Sequence, residues 1–256
     1  MSIEDLLEKG LQAFDQGDFK AAEILYQQAL EGEKTAEVWL LLAEAQIENG
    51  SYGKAHKSLS AGLLLEADNV DLLYSLGDLY LEEENYDLAV ETYKKIIELD
   101  PQEADAWVCK AVAQMNNDNL SAAGKTCRHA LEIDPGLAFG HNALGDIYVA
   151  QGKVEAGMNC FHQALKLDAT DPQPYLSLAE LYYDADDLKS AEEYCQKGLA
   201  LDAGLAPGYL TLGYICLDQD RTQEAVDNFQ QFLRLETSAA AKHIRDEVAA
   251  VIEGLK

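Results

Sequence analysis

Apolar residues recur along this chain at three-and-four spacing, in segments of about 13 residues separated by short polar turns. That spacing gives each segment one apolar stripe as a helix. Turns such as Asn49-Gly50, Gln151-Gly152 and Asp218-Gln219-Asp220 then fold successive helices back on one another. The pattern predicts an all-α chain built from helix hairpins.

The hairpins repeat. Small residues expected at the contact between paired helices fall at Ala55, Ala89, Ala123, Ala191 and Ala225, with Gly157 in the one remaining place, at intervals of 34 residues. Ala22 precedes the series by 33. A large residue opens each first helix at Leu6, Trp39, Leu73, Trp107, His141, Tyr175 and Tyr209. Four positions on comes a small one: Gly10, Ala43, Gly77, Ala111, Gly145, Ala179 or Gly213. Each second helix carries a bulky apolar residue at Tyr26, Leu59, Tyr93, Cys127, Phe161, Cys195 or Phe229.

Seven repeats follow, at about 3–35, 36–69, 70–103, 104–137, 138–171, 172–205 and 206–239, in a single domain spanning 1–256. Pro101 and Pro135 are expected to end second helices. One hairpin of this length cannot bury both of its faces, so neighbours must stack to complete the core. Residues 240–254 break the pattern and put Ile244, Val248, Val251 and Ile252 on one face, with Leu255 close behind. They are expected to form a helix that caps the last repeat.

With those landmarks in register over about residues 3–239, the chain resembles the tetratricopeptide-repeat family. The resemblance implies an all-α, right-handed α-solenoid superhelix of seven hairpins plus the C-terminal capping helix. It also implies a concave groove, lined mainly by first helices, that holds a peptide segment of another protein. His141 in place of an aromatic, Lys9 and Lys110 in place of leucine, and Gly157 in place of alanine depart from the family pattern.

Carried onto this sequence, that geometry gives an apolar stripe edged by carboxylates. Glu44, Asp78, Asp146 and Glu180 take equivalent central places, with Glu48, Glu82, Asp184 and Asp218 just beyond. Tyr74, Leu81, Met115, Asn142, Tyr183, Tyr214 and Leu217 accompany them, and Leu40, Val108, Leu176 and Leu210 are also expected to face inward or to be partly covered. A row of like charges is tolerated when solvent screens it or a basic partner neutralises it. The groove is therefore expected to take a basic, partly apolar segment, its apolar members receiving the anchors. It does not suit the mode in which a tetratricopeptide groove clamps a terminal carboxylate with lysine, arginine and asparagine. The alternative expectation is a structural protein that associates with itself through its terminal helices, around Leu6, Leu7 and Leu11 or Ile244 and Val248.

Charge agrees with the groove. The formal net charge is -27, with 46 acidic and 19 basic residues, 23 acids and 7 bases of which lie in residues 1–103. Such a chain repels nucleic acid and anionic lipid. No apolar run is long enough for a membrane span, and MSIEDLLEKG does not resemble a secretory or transit peptide. The five cysteines form no CxxC pair, as expected of free thiols in the cytoplasm.

Candidate chemistry changes the picture little. The five histidines fall on different repeats and never at metal-helix spacing. Cys127, Cys195 and Cys216 sit at core landmarks; Cys109 and Cys160 are expected in the core as well, with partial exposure left open for either. GLAFGHNALG at 136–145 lacks the strand and lysine of a phosphate loop, and the acidic runs at 82–84 and 184–187 lack calcium-loop spacing. The sequence predicts no catalytic residue, cofactor or metal.

Overall fold

A computed structural model describes residues 1–238 and 240–255, so the last position of the seventh expected repeat, Ala239, lies outside the described residues, as does Lys256. Among the described residues there are fifteen α-helices and no strand. They form two compact units, Met1–Pro135 and Gly136–Lys256.

The first unit holds four hairpins: α1 (Ile3–Asp15) with α2 (Phe19–Gly32), α3 (Ala36–Glu48) with α4 (Tyr52–Leu65), α5 (Val70–Glu82) with α6 (Tyr86–Leu99), and α7 (Ala104–Asn116) with α8 (Leu120–Ile133). The second holds three hairpins and a final helix: α9 (Ala138–Ala150) with α10 (Val154–Leu167), α11 (Gln173–Asp184) with α12 (Leu188–Leu201), α13 (Ala206–Asp218) with α14 (Thr222–Leu235), and α15 (Lys242–Gly254). Each expected repeat start is the first residue of a helix, except at 172, where Pro172 precedes α11. Helices α6 and α8 stop two residues before Pro101 and Pro135.

Local sequence sets these boundaries. Ser2 and Asp5 form a reciprocal capping box on α1, and Asp18, Thr35, Asn69, Asn119 and Asp187 accept backbone N–H groups at other helix starts. Every hairpin turn has one residue at positive φ. It is glycine at Gly17, Gly50 and Gly152 but a side chain-bearing acid at Glu84, Asp118, Asp186 and Asp220.

The two helices of a hairpin touch where a small residue on the first meets a bulky one on the second. A Cβ at Gly77 would lie 2.6 Å from the Tyr93 ring, and one at Gly145 would lie 2.5 Å from Phe161. Gly10 with Tyr26 and Gly213 with Phe229 repeat the arrangement. Between them stand Ala43 opposite Leu59, Ala111 opposite Cys127, and Ala179 opposite Cys195. Glycine is thus paired with an aromatic ring and alanine with leucine or cysteine, in strict alternation along the chain. Gly157 has its own reason: a Cβ there would lie 2.6 Å from Val149 Cγ2 and 3.0 Å from the Gly145 carbonyl.

Stacking completes the cores. In the first unit, Leu6, Tyr26 and Leu30 pack with Val38 and Leu42 of the next hairpin, and Tyr93 and Ile96 pack with Ala106 and Ala113. In the second, Phe161 packs with Leu178 and Leu181. At its end α15 lays Val248 and Ile252, both buried, against Phe229 and Phe232, with Val251 beside them. Each such aliphatic side chain contributes about 1.5–3 kcal/mol of burial. Ile244, expected on the same stripe, is instead 43% exposed. It sits in the first turn of α15, one turn before the helix meets its neighbour.

Candidate functional site

In the first unit, four of the expected carboxylates converge. Glu44 and Glu48 of α3 and Asp78 and Glu82 of α5 line one cavity of about 450 Å³, together with Phe14, Ile47, Ser75 and Leu79. No basic residue lines it. The equivalent register of the two helices brings the acids together, since residues four apart share a helix face.

Water is partly displaced from this face. Burial, reinforced by Asp71, pushes the Glu44 carboxyl above the usual range. Asp78 keeps substantial solvent contact, yet the surrounding helices displace enough water to push its carboxyl up as well. A hydrogen bond from the Tyr93 hydroxyl, 2.5 Å away, partly opposes that shift.

The other first-unit candidates lie outside this cavity. Tyr74 is half-buried against Tyr93, with its hydroxyl donating to Glu103 at 3.3 Å. Leu81 packs on the core of the third hairpin, and Met115 is half-buried on α7. Val108, expected to face inward or to be partly covered, is fully buried, because it lies on the side of α7 turned into the stack.

In the second unit the acids again interact. Burial, then the nearby Glu180, raises the Asp146 carboxyl to about 6. Glu180 is itself pushed up by burial and by Asp184. Asn142, one turn before Asp146 on α9, has its Oδ1 buried without a hydrogen-bond partner. Tyr183 donates to Asp218 at 2.8 Å, tying α11 to α13. Tyr214 meets the Phe229 ring edge-on at 5.1 Å, and Leu217 packs on the last core. Leu176, expected at the groove or partly covered, is buried; its side chain fills the space beside Gly198 and Gly208.

Sequence reading missed Phe14 and Ser75 as walls of the first cavity, and Tyr93 as the donor to Asp78. A glycine facing Tyr93 at Gly77 was the available signal, because it lets the ring pass close to α5 and reach the acidic row.

Charge divides by helix type. The first helices of the seven hairpins carry fifteen acidic and two basic residues, whereas the second helices carry eleven of each. Taken together, the first helices therefore carry the net negative charge of the hairpin helices, and the second helices are neutral as a set.

Burial favours the neutral thiol at four of the five cysteines, Cys109, Cys160, Cys195 and Cys216. Burial pushes Cys109 and Cys195 up to about 12, with neighbouring carboxylates adding to it. Cys127, Cys195 and Cys216 are buried, and Cys109 and Cys160 are half-buried. Among the described residues no group of three or more histidine, cysteine or acidic side chains is placed to hold a metal ion. No helix is long and apolar enough to cross a membrane.

Stacked helix hairpins with a small-to-large contact every 34 residues define a tetratricopeptide-repeat protein, a class of protein–protein interaction scaffold and not of enzyme. Within that class, the chain belongs to the family described as the Cilia and flagella-associated protein 70 C-terminal domain, which it matches over residues 7–250. Tetratricopeptide repeat protein 12 of Mus musculus is 32% identical to it over 98 residues, 38% of this chain and 14% of that protein. The human protein of the same name is 31% identical over the same length. This chain thus corresponds to a small part of those relatives. Among solved structures, a tetratricopeptide repeat protein from Parabacteroides merdae superposes with a TM-score of 0.77 at 20% identity, over 98% of both chains. Yeast Tom70 superposes with a TM-score of 0.79 at 17% identity, over 99% of this chain and 53% of that one. These likenesses establish the fold alone.

Proposed function

We propose that this chain is an adaptor, one repeat domain spanning 1–256, whose first-helix faces bind a basic, partly apolar segment of another protein. The observation that carries the reading is the cavity walled by Glu44, Glu48, Asp78 and Glu82 with no basic residue in its lining. Burial raises two of those carboxyls, Glu44 and Asp78, and a cation seated beside them would favour their charged forms. The second unit supports the same reading. Asn142 Oδ1, Asp146 and Glu180 all present acceptors, and lysine or arginine supplies only donors. Ile47, Leu79 and Phe14 provide apolar wall for a side-chain anchor.

The five free cysteines support a cytoplasmic setting. The matched family takes its name from a protein of cilia and flagella, which supports a role within those structures.

The test is binding of a synthetic lysine- and leucine-rich peptide across a salt series, to the unaltered chain and to an Asp78→Ser, Asp146→Ser, Glu180→Ser variant. The variant should bind at least about tenfold more weakly and with a shallower salt dependence. Unchanged affinity, with the variant still folded by circular dichroism, overturns the reading. Sedimentation of the unaltered chain over a concentration series addresses self-association: a monomer throughout removes that alternative.

A further inference from the structure

A different kind of recess lies where the first two hairpins meet. Between α2, α3 and α4 lies a cavity of about 570 Å³, within the range of small-ligand and side-chain pockets. Leu30, Trp39 and Leu42 give it apolar walls, and Lys34, Lys54 and Lys57 stand around it. Three of the chain's 19 basic residues thus gather at one opening in a protein of net charge -27.

The lysines are not equivalent. Lys54 is committed, its Nζ 2.7 Å from the buried Glu23 carboxylate. Glu23 also accepts from Gln27 and Gln46, and Gln46 accepts from Ser58, so the polar groups at the cavity floor are internally paired. Lys34 and Lys57 are exposed and have no carboxylate within ion-pair distance among the described residues. Glu31 is the one acid in the lining. Ile24, 55% exposed, lies one turn before Gln27 on the same face of α2 and extends the apolar surface outward.

The rest of the chain shows how this recess stays open. At the equivalent place in the fourth hairpin, His129 stands edge-on to Trp107 with ring centres 4.6 Å apart, and Lys110 Nζ lies 5.2 Å from the same ring. The position of His129 is Ala61 in the second hairpin, and that of Lys110 is Leu42. Only a methyl group and an aliphatic side chain therefore stand where Trp107 has an imidazole and an ammonium. In the second unit the same register gives a cavity of about 580 Å³ lined by Tyr175, Tyr194, His162, Lys166 and Lys197. There Lys197 is held by Glu193 at 2.8 Å and lies over the Tyr194 ring. The Trp39 recess combines an open aromatic wall with two uncommitted cations.

We propose that the Trp39 recess is a second docking site, which takes an acidic segment of a partner protein by one bulky apolar side chain seated against Trp39, with Lys34 and Lys57 pairing its flanking carboxylates. Charge complementarity selects that occupant: the first-helix cavity is walled by acids and suits a cation, whereas this rim suits an anion. The adaptor would then hold two partners of opposite charge through different residues of α3 and its neighbours.

The test uses the Trp107→Phe chain, in which Trp39 is the one remaining indole of two. The probe is an acetylated glutamate-rich peptide with a central Leu-Phe pair. A saturable change in Trp39 fluorescence is expected. It should weaken about tenfold in Lys34→Glu, Lys57→Glu, and weaken similarly when the peptide's Phe becomes Ala. Asp78→Ser should leave it unchanged, which separates this site from the acidic face. Calorimetric titration of the unaltered chain gives the same answer should Trp107→Phe loosen the fold. No saturable response, an equal response in the lysine variant, or a response to octanoate but not to the peptide overturns the proposal.

Discussion

The Tyr93 hydroxyl donates to the Asp78 carboxylate, so a ring at the centre of the third hairpin's core ends in the acidic face of α5. Packing and recognition share one side chain. Removing the hydroxyl with Tyr93→Phe leaves the ring in place and takes away a hydrogen bond that favours the ionised carboxylate. The Asp78 carboxyl should rise further above its usual range, and stability at neutral pH should fall by about 1–2 kcal/mol. Carboxyl-detected NMR titration and chemical denaturation check the two parts.

The same hairpin tests the glycine–ring pairing. Gly77→Ala places a methyl group where Tyr93 now lies and should destabilise the chain by about 1–3 kcal/mol. Adding Tyr93→Leu recreates the pairing of Ala43 with Leu59 and should recover part of the loss, although it also removes the bond to Asp78. A double-mutant cycle from denaturation midpoints measures the coupling, and strict additivity would show that the alternation has no energetic basis.

The hairpin turns offer a stabilising change. Glu84 and Asp118 adopt positive φ, a region that glycine enters without a Cβ clash. Glu84→Gly and Asp118→Gly should each raise stability by up to about 1 kcal/mol, the relief of strain exceeding the added freedom of the unfolded chain. Thermal melts at fixed pH decide it.

Asp146 sets a pH dependence. Its carboxyl is raised from an ordinary 3.8 to about 6, so the folded chain holds a proton that the unfolded chain has lost. Stability from this group is therefore fully present below about pH 4 and declines as pH rises through 6, by about 3 kcal/mol at most. Asp146→Asn should abolish that decline, visible as a difference in urea midpoints between pH 5 and pH 8. A cationic ligand reverses the preference, and its affinity should weaken as pH falls from 7 to 5.

Much of the fold was legible because its period is carried by residue size. Small residues from Gly10 to Gly213 and bulky ones from Tyr26 to Phe229 mark the hairpin contacts directly, and helix starts follow within a residue. The acidic face was legible in part. Glu44, Glu48, Asp78 and Glu82 share a cavity because register alone places them there. Val108 and Leu176 turned out to be buried because their exposure depends on how tightly the adjacent hairpin closes. Asn142 was legible as a polar groove residue, but its unpaired oxygen depends on a neighbour's position and not on its own repeat. The Trp39 recess escaped for a similar reason: it is made by what Ala61 lacks, and a missing side chain leaves no mark in a hydrophobic pattern.

The strict alternation of glycine–aromatic contacts with alanine–leucine or alanine–cysteine contacts has a consequence for how such a chain can change length. Every junction between hairpins joins two unlike members, so the inheritable module is 68 residues and not 34. Excising α5 through α8 would reconnect an unlike pair and preserve the order, whereas excising α5 and α6 alone would bring two alanine-type hairpins side by side. Kin that differ in length by two hairpins should therefore be better tolerated than those that differ by one.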